Sequence, residues 1–219
     1  MSKAAEDTER ERHRAGGRSE RKRRAILDAA RAVFLEHGYV GASMDEVAAL
    51  ATVSKVTVYK HFLDKERLFI AVVTGAIDEA EASYRPLVDQ LAESVDVDAD
   101  LRTFARRHIV LVTQPHLIQM RRMIIAEANR FPELAKWWHR AGPERAHATL
   151  AGVIEQLADR GLLQVADPLL AAQQLSYLIL SVPVNEAMFT GRRTPYDRRR
   201  LERYADEAVR VFMAAYGSS

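Results

Sequence analysis

SMDEVAALATVSKVTVYKHFLDK, residues 43–65, contains two helix starts within a dozen residues. Ser43 and Glu46 have the S-x-x-E spacing of a capping box, in which a hydroxyl and a carboxylate satisfy backbone donors of the first turn. Met44, Val47, Ala48 and Ala51 then recur at helical spacing, which predicts a helix of about two turns with one buried side. Such a helix is too short to stand alone. Ser54 caps a second short helix reaching about His61, with Val58 and Phe62 inward and Lys55, Thr57, Tyr59 and Lys60 outward. Two short helices joined by a tight turn, the second presenting cations, hydroxyls and an aromatic ring, fit a helix-turn-helix reader of DNA. Ammonium groups, hydroxyls and the free N–H groups of a helix N-terminus all bind phosphate oxygens. The expected contact set is Ser43, Val53, Ser54, Lys55, Val56, Thr57, Tyr59, Lys60, His61 and Lys65, with Asp64 capping a third helix beside Lys65.

Gly38-Tyr39, Ser43 to Ala51, Val53 to Lys55, Thr57 to Phe62 and Asp64 to Leu68 together resemble the N-terminal domain of TetR/AcrR-type transcriptional regulators. The resemblance covers roughly residues 24–70 and fixes many residue types over an ungapped run. It implies a DNA-binding regulator, repression being the family's usual sign. Two positions depart from the pattern, because glycine is common where this chain has Thr52 and Val56. A threonine in a turn that favours positive φ is mildly strained.

With 48% hydrophobic and 28% charged residues, the chain of 219 holds enough apolar material for one large or two modest cores. It has no cysteine, which removes disulfides, thiol nucleophiles and cysteine-ligated metals and fits a reducing compartment. A charged N-terminus and the lack of a long apolar run predict a cytoplasmic protein without membrane association. The net charge of +2 is too small to announce a nucleic-acid partner, so the motif carries that reading.

Outward from the motif, residues 1–18 read as a disordered arm, with Arg10, Arg12, Arg14, Arg18 and the run Arg21 to Arg24 as cations within reach of phosphate. Residues 19–66 read as the DNA-binding domain and 67–219 as a helical effector-binding and dimerisation domain. Ser19 opens a long helix with Ile26, Ala30, Val33, Phe34 and His37 inward, and Gly38 stops it. A helix from Asp64 is expected to fade at Tyr84-Arg85-Pro86. Helical periods follow over about 99–113, 115–129, 132–141, 143–160, 168–189 and 196–216, with prolines at several starts. Pro183 predicts a kink. No useful β-type alternation appears, so the fold class is all-α: a three-helix helix-turn-helix domain plus a larger helical domain.

Residues 122–134 and 142–146, with Asp167-Pro168 and Ala171 to Gln173, are similar to the AefR-type C-terminal domain found in part of the same family. That resemblance implies a homodimer whose C-terminal half senses something, without saying what. Residues 169–189 are apolar nearly all round, and a helix without a polar stripe has to be covered on several sides. Leu175, Leu178 and Val182, with Leu201, Tyr204, Ala208 and Phe212 of the last helix, are therefore expected at a two-fold interface. Phe104, Met120, Met123, Trp137, Trp138 and Tyr177 are candidates for a pocket taking a hydrophobic effector. Neither a cofactor, a metal site nor a catalytic group is expected, since no compact histidine–carboxylate pattern, nucleophile elbow or phosphate-binding glycine loop occurs. The competing readings are a helical protein-interaction adaptor and a metal-dependent helical enzyme.

Overall fold

The computed structural model describes residues 3–190 and 196–218, with side chains from Gly17 onward. The backbone divides into two compact units, Met1–Thr74 and Gly75–Ser219. The division falls after Thr74 rather than after Glu66. Leu68, Phe69, Val72 and Val73 explain the difference, because all four are buried and Phe69 meets the Phe34 and Tyr39 rings of the first unit edge-on.

The first unit holds α1 (Lys3–Gly41), α2 (Met44–Leu50), α3 (Lys55–Phe62) and the opening turns of α4 (Lys65–Ala92). In α1 the backbone leaves helical geometry at Gly38 (φ 68°), the stop that the sequence anticipates. Residues 3–18, expected as a disordered arm, instead continue this helix. Their Ala, Glu and Arg are strong helix formers and no proline interrupts them. Of the arm's cations, Arg10, Arg12 and Arg14 lie outside the described side chains. Ile26, Ala30, Val33 and Phe34 of α1, Val47 of α2 and Val58 and Phe62 of α3 are all buried. Phe34, Tyr39 and Phe69 form a closed triangle of rings with centroids 5.0–6.1 Å apart. His37 belongs to the other side of α1: it is exposed, and its Nε2 lies 2.8 Å from Glu46 Oε1.

The second unit comprises the rest of α4 and α5 (Val97–Val112), α6 (Pro115–Ala126), α7 (Pro132–His139), α8 (Arg145–Asp159), α9 (Pro168–Thr190) and α10 (Arg198–Tyr216). Among the described residues there is no strand, only an isolated bridge between Leu163 and Gly217. Contrary to expectation, α4 continues through Pro86 to Ala92. Pro86 is exposed while Tyr84, Val88 and Leu91 are buried, so packing on one side carries the helix past the missing donor. Pro143 does not open a helix either. It lies in a π-type turn, Arg140–Glu144, that joins α7 to α8 and accommodates a residue without an N–H.

Helix α10 packs on α5 and α9, and α8 packs on α9. Arg106 clamps Asp206 through two hydrogen bonds of 2.7 and 2.8 Å, tying α5 to α10. The core includes Leu101, Phe104 and Ile109 of α5, Leu150 and Ile154 of α8, Leu175 and Ile179 of α9, and Leu201, Ala208 and Phe212 of α10. This corrects part of the interface expectation. Leu175, Leu201, Ala208 and Phe212 are at most 4% exposed inside one chain, where the amphipathic side of α10 has already found its cover.

Candidate functional site

The α2–turn–α3 segment is built from local hydrogen bonds. Ser43, at extended φ/ψ, accepts the Glu46 N–H on its Oγ at 3.1 Å, and Ser54 accepts the Thr57 N–H at 3.2 Å. Between the two caps, α2 closes with Thr52 N–H donating to Ala49 O (3.2 Å) and Val53 N–H to Ala48 O (3.1 Å). This paired pattern is a Schellman motif, whose central residue must take a left-handed conformation. Thr52 takes it, at φ 54°, which confirms the strain read from the sequence.

Val58 and Phe62 anchor α3 in the core, leaving Lys55, Val56, Tyr59 and Lys60 exposed. Val53, Thr57 and His61 are half-buried, and the Thr57 hydroxyl lies 2.8 Å from Ser54 Oγ as part of the cap. Lys55 Nζ lies 2.7 Å from Asp45 Oδ1, and that hydrogen-bonded carboxylate raises the lysine pKa. Both groups face water, so the pair can exchange for another anion. Lys65 differs from its sequence reading. Its ammonium donates to Ala42 O (3.0 Å) and Val40 O (3.3 Å) and stands 4.7 Å over the Tyr39 ring, clasping the end of α1. Beside it Asp64 Oδ1 accepts the Arg67 N–H at 2.7 Å and caps α4. Arg18 and Arg21 to Arg24 are exposed, and Arg23 rests 5.5 Å over the Phe62 ring.

Within the second unit, residues of α4 to α9 and of the turn between α7 and α8 line a cavity of about 460 Å³ that is open to solvent on one side. Met120, Trp138 and Tyr177 line it as the sequence suggested, whereas Phe104, Met123 and Trp137 do not. Phe104 and Met123 are buried core residues, and Trp137 is half-buried on another side of α7. Sequence reasoning missed Tyr84, His108, Arg121, His147 and Ser176. His108 is 5% exposed, stacked on Phe104 (5.4 Å) and tilted against Tyr84 (5.0 Å), and its Nδ1 has no hydrogen-bond partner among the described residues. Burial, with a smaller contribution from His147, pushes its pKa down to about 4, so the ring is neutral at ordinary pH. Burial likewise lowers His147 and the half-buried Arg121. In a second concavity, about 660 Å³, the wall arginines have hydrogen-bond partners: Arg106 and Arg198 bond the carboxylates of Asp206 and Glu202, and Arg107 bonds the neutral amide oxygen of Gln90. Among the described residues no three His, Asp or Glu converge as a metal site.

Residues 26–72 match the bacterial regulatory proteins of the tetR family, and residues 99–218 match the AefR-like transcriptional repressor C-terminal domain. The second match alone spans more than half of the chain. The chain belongs to the TetR family. A solved TetR-family transcriptional regulator from Mesorhizobium loti is 43% identical over 91% of this chain and 98% of its own, with a TM-score of 0.86. The flavonoid-responsive regulator FrrA is similar at 30% identity and a TM-score of 0.70, over 90% of this chain and 98% of that one. The HTH-type transcriptional repressor AcnR of Corynebacterium diphtheriae is 32% identical over 51% of this chain and 56% of its own length. The chain spans about half the length of the curated relatives it matches.

The TetR family, to which the chain belongs, is one of DNA-binding transcriptional regulators rather than of enzymes. No helix among the described residues is long and apolar enough to cross a membrane. On the second unit of this TetR-family chain, α9 is divided lengthwise. Ala171, Leu175, Ile179 and Val184 are buried, while Leu178, Val182 and Phe189 form an exposed apolar stripe at helical spacing; Tyr177, also exposed, borders the cavity instead. Tyr204 of α10 is half-buried.

Proposed function

We propose that the protein is a cytoplasmic transcriptional repressor that binds an imperfect inverted repeat as a homodimer and leaves it when a small hydrophobic effector fills the cavity of the second unit. The observation that carries the DNA half is α3, capped at its start, anchored by Val58 and Phe62, and presenting Lys55, Val56, Tyr59 and Lys60 to solvent. Two such helices about 34 Å apart, or a multiple of one turn, enter successive major grooves. The exposed stripe of α9 is the supporting feature for the two-fold contact, with Leu178 and Val182 retained from the sequence reading. An effector acts only through different affinities for the two domain arrangements. The cavity's volume lies within the range of small-molecule sites, and FrrA, a relative, is named as flavonoid-responsive.

The test is binding to duplexes carrying inverted repeats from the DNA flanking the coding region. Affinity falls steeply with salt, because neutralised phosphates release counterions. Tyr59→Ala and Lys60→Ala each weaken it about tenfold with unchanged melting temperature. Full affinity in both variants overturns the assignment of α3. Salt-insensitive binding to a protein partner through the same face would instead favour the adaptor reading. Leu178→Glu combined with Val182→Glu yields a folded monomer that has lost at least about tenfold in specific affinity.

A further inference from the structure

The cavity's charge balance narrows its occupant, given that this cavity is the effector site proposed above. Three arginines line it. Arg85 Nε lies 3.3 Å from Asp89 Oδ1, and Arg145 is hydrogen-bonded to Glu81. Arg121 alone has no carboxylate within ion-pair distance among the described residues, and its guanidinium lies 5.3 Å over the Trp138 ring. A half-buried cation without a counter-anion is destabilising unless something else supplies the charge. His108 and His147, both held down by burial, do not compete for that role as cations at neutral pH. His139, also in the wall, faces Glu144 at 2.9 Å.

The remaining wall is rich in rings. Tyr84, His108, Trp138, His147 and Tyr177 all border the space, with Tyr84 and His108 5.0 Å apart and His147 and Tyr177 6.0 Å apart. Flat faces set around a void favour a flat guest, which stacks at little conformational cost. A planar guanidinium over an indole also presents its fork to a carboxylate in two parallel hydrogen bonds, geometry that an ammonium lacks. We infer that the effector is an aromatic monoacid, its ring held among Tyr84, Trp138 and Tyr177 and its carboxylate or acidic phenolate held by Arg121.

The test uses the full chain and three probes of comparable size in calorimetric titrations: 2-naphthoate, the uncharged 2-naphthamide, and decanoate. Wild type binds naphthoate about tenfold or more tightly than naphthamide, and naphthoate more tightly than decanoate. Arg121→Gln lowers naphthoate to the naphthamide level and leaves naphthamide within about threefold of its wild-type value. Arg121→Lys keeps the charge and part of the preference. Equal affinity for acid and amide in wild type overturns the anion assignment while leaving the effector cavity standing. A preference that survives Arg121→Gln removes Arg121 as its source. Decanoate binding as well as naphthoate overturns the aromatic assignment. No binding of any probe overturns both the inference and the effector reading beneath it. The comparison within wild type decides the charge question even if Arg121→Gln fails to fold.

Discussion

Both units bury aromatic rings in a core, but among the described residues only the second also sets a group of them around open space. In the first, Phe34, Tyr39 and Phe69 close on one another in the interior. In the second, Tyr84, His108, Trp138, His147 and Tyr177 stand around about 460 Å³ of space. A filled core fixes the surface it carries, which suits a helix that must meet DNA in one orientation. A core with a vacancy forgoes dispersion contacts along its lining, which another molecule can restore. The same contrast holds for cations. Lys55 is exposed beside an exchangeable carboxylate, whereas Arg121 is withdrawn from water with an aromatic ring for company.

Core truncation tests the contrast most sharply. Phe69→Ala opens a hole in a filled interior and is expected to cost about 3–5 kcal/mol, against about 1 kcal/mol or less for Trp138→Ala at a wall that already faces space. Denaturant unfolding of the two variants measures the difference, and equal costs would remove it.

Acid reaches the hollow unit through His108. The unfolded chain takes up this proton near pH 6.5, but the folded chain only near 4. Stability is therefore full above about 6.5 and drains by on the order of 3 kcal/mol as pH falls to 4. His108→Phe, which keeps the stack on Phe104, flattens this part of the pH profile. A wild-type melting curve unchanged over that interval would show that the buried ring does not stay neutral.

Lys65 distinguishes a clasp from a DNA contact in the filled unit. Lys65→Met removes hydrogen bonds to Ala42 O and Val40 O and is expected to cost about 1–3 kcal/mol, measured by denaturation in the absence of DNA. Unaltered stability combined with weakened operator binding would restore the original phosphate-contact reading.

The smallest effect compares two turns of the same hydrogen-bond pattern. At the end of α8, Leu162 N–H donates to Leu157 O and Gly161 N–H to Ala158 O, with Gly161 at φ 74°. At the end of α2 the central position is Thr52. Thr52→Gly is expected to add up to about 1 kcal/mol, and Gly161→Ala to remove about 1 kcal/mol. Thermal melts of both variants report the signs.

Much of the first unit was legible because its determinants are short-range. Ser43, Gly38, Thr52, Ser54 and Asp64 act on backbone groups no more than five residues away, so spacing alone carries the information. Glu46 shows where that reasoning stops, since its carboxylate reaches His37 on another helix. The cavity was half legible. Met120, Trp138 and Tyr177 follow from residue type, but no local pattern reveals that Arg121 lacks the carboxylate that Arg145 finds in Glu81, 64 positions away.

The amino-acid order by itself determined the helical class, the stops and caps of α1 to α3, and which side of α3 faces inward, because periodicity and capping are properties of neighbouring residues. Tertiary structure decided that Lys65 braces α1, that Phe212 fills its own chain's core while Leu178 and Val182 stay outside, and that Arg121 borders a void. Those outcomes depend on which faces meet across long sequence separations, and an apolar stripe or a lone charge carries no mark of the partner it will find.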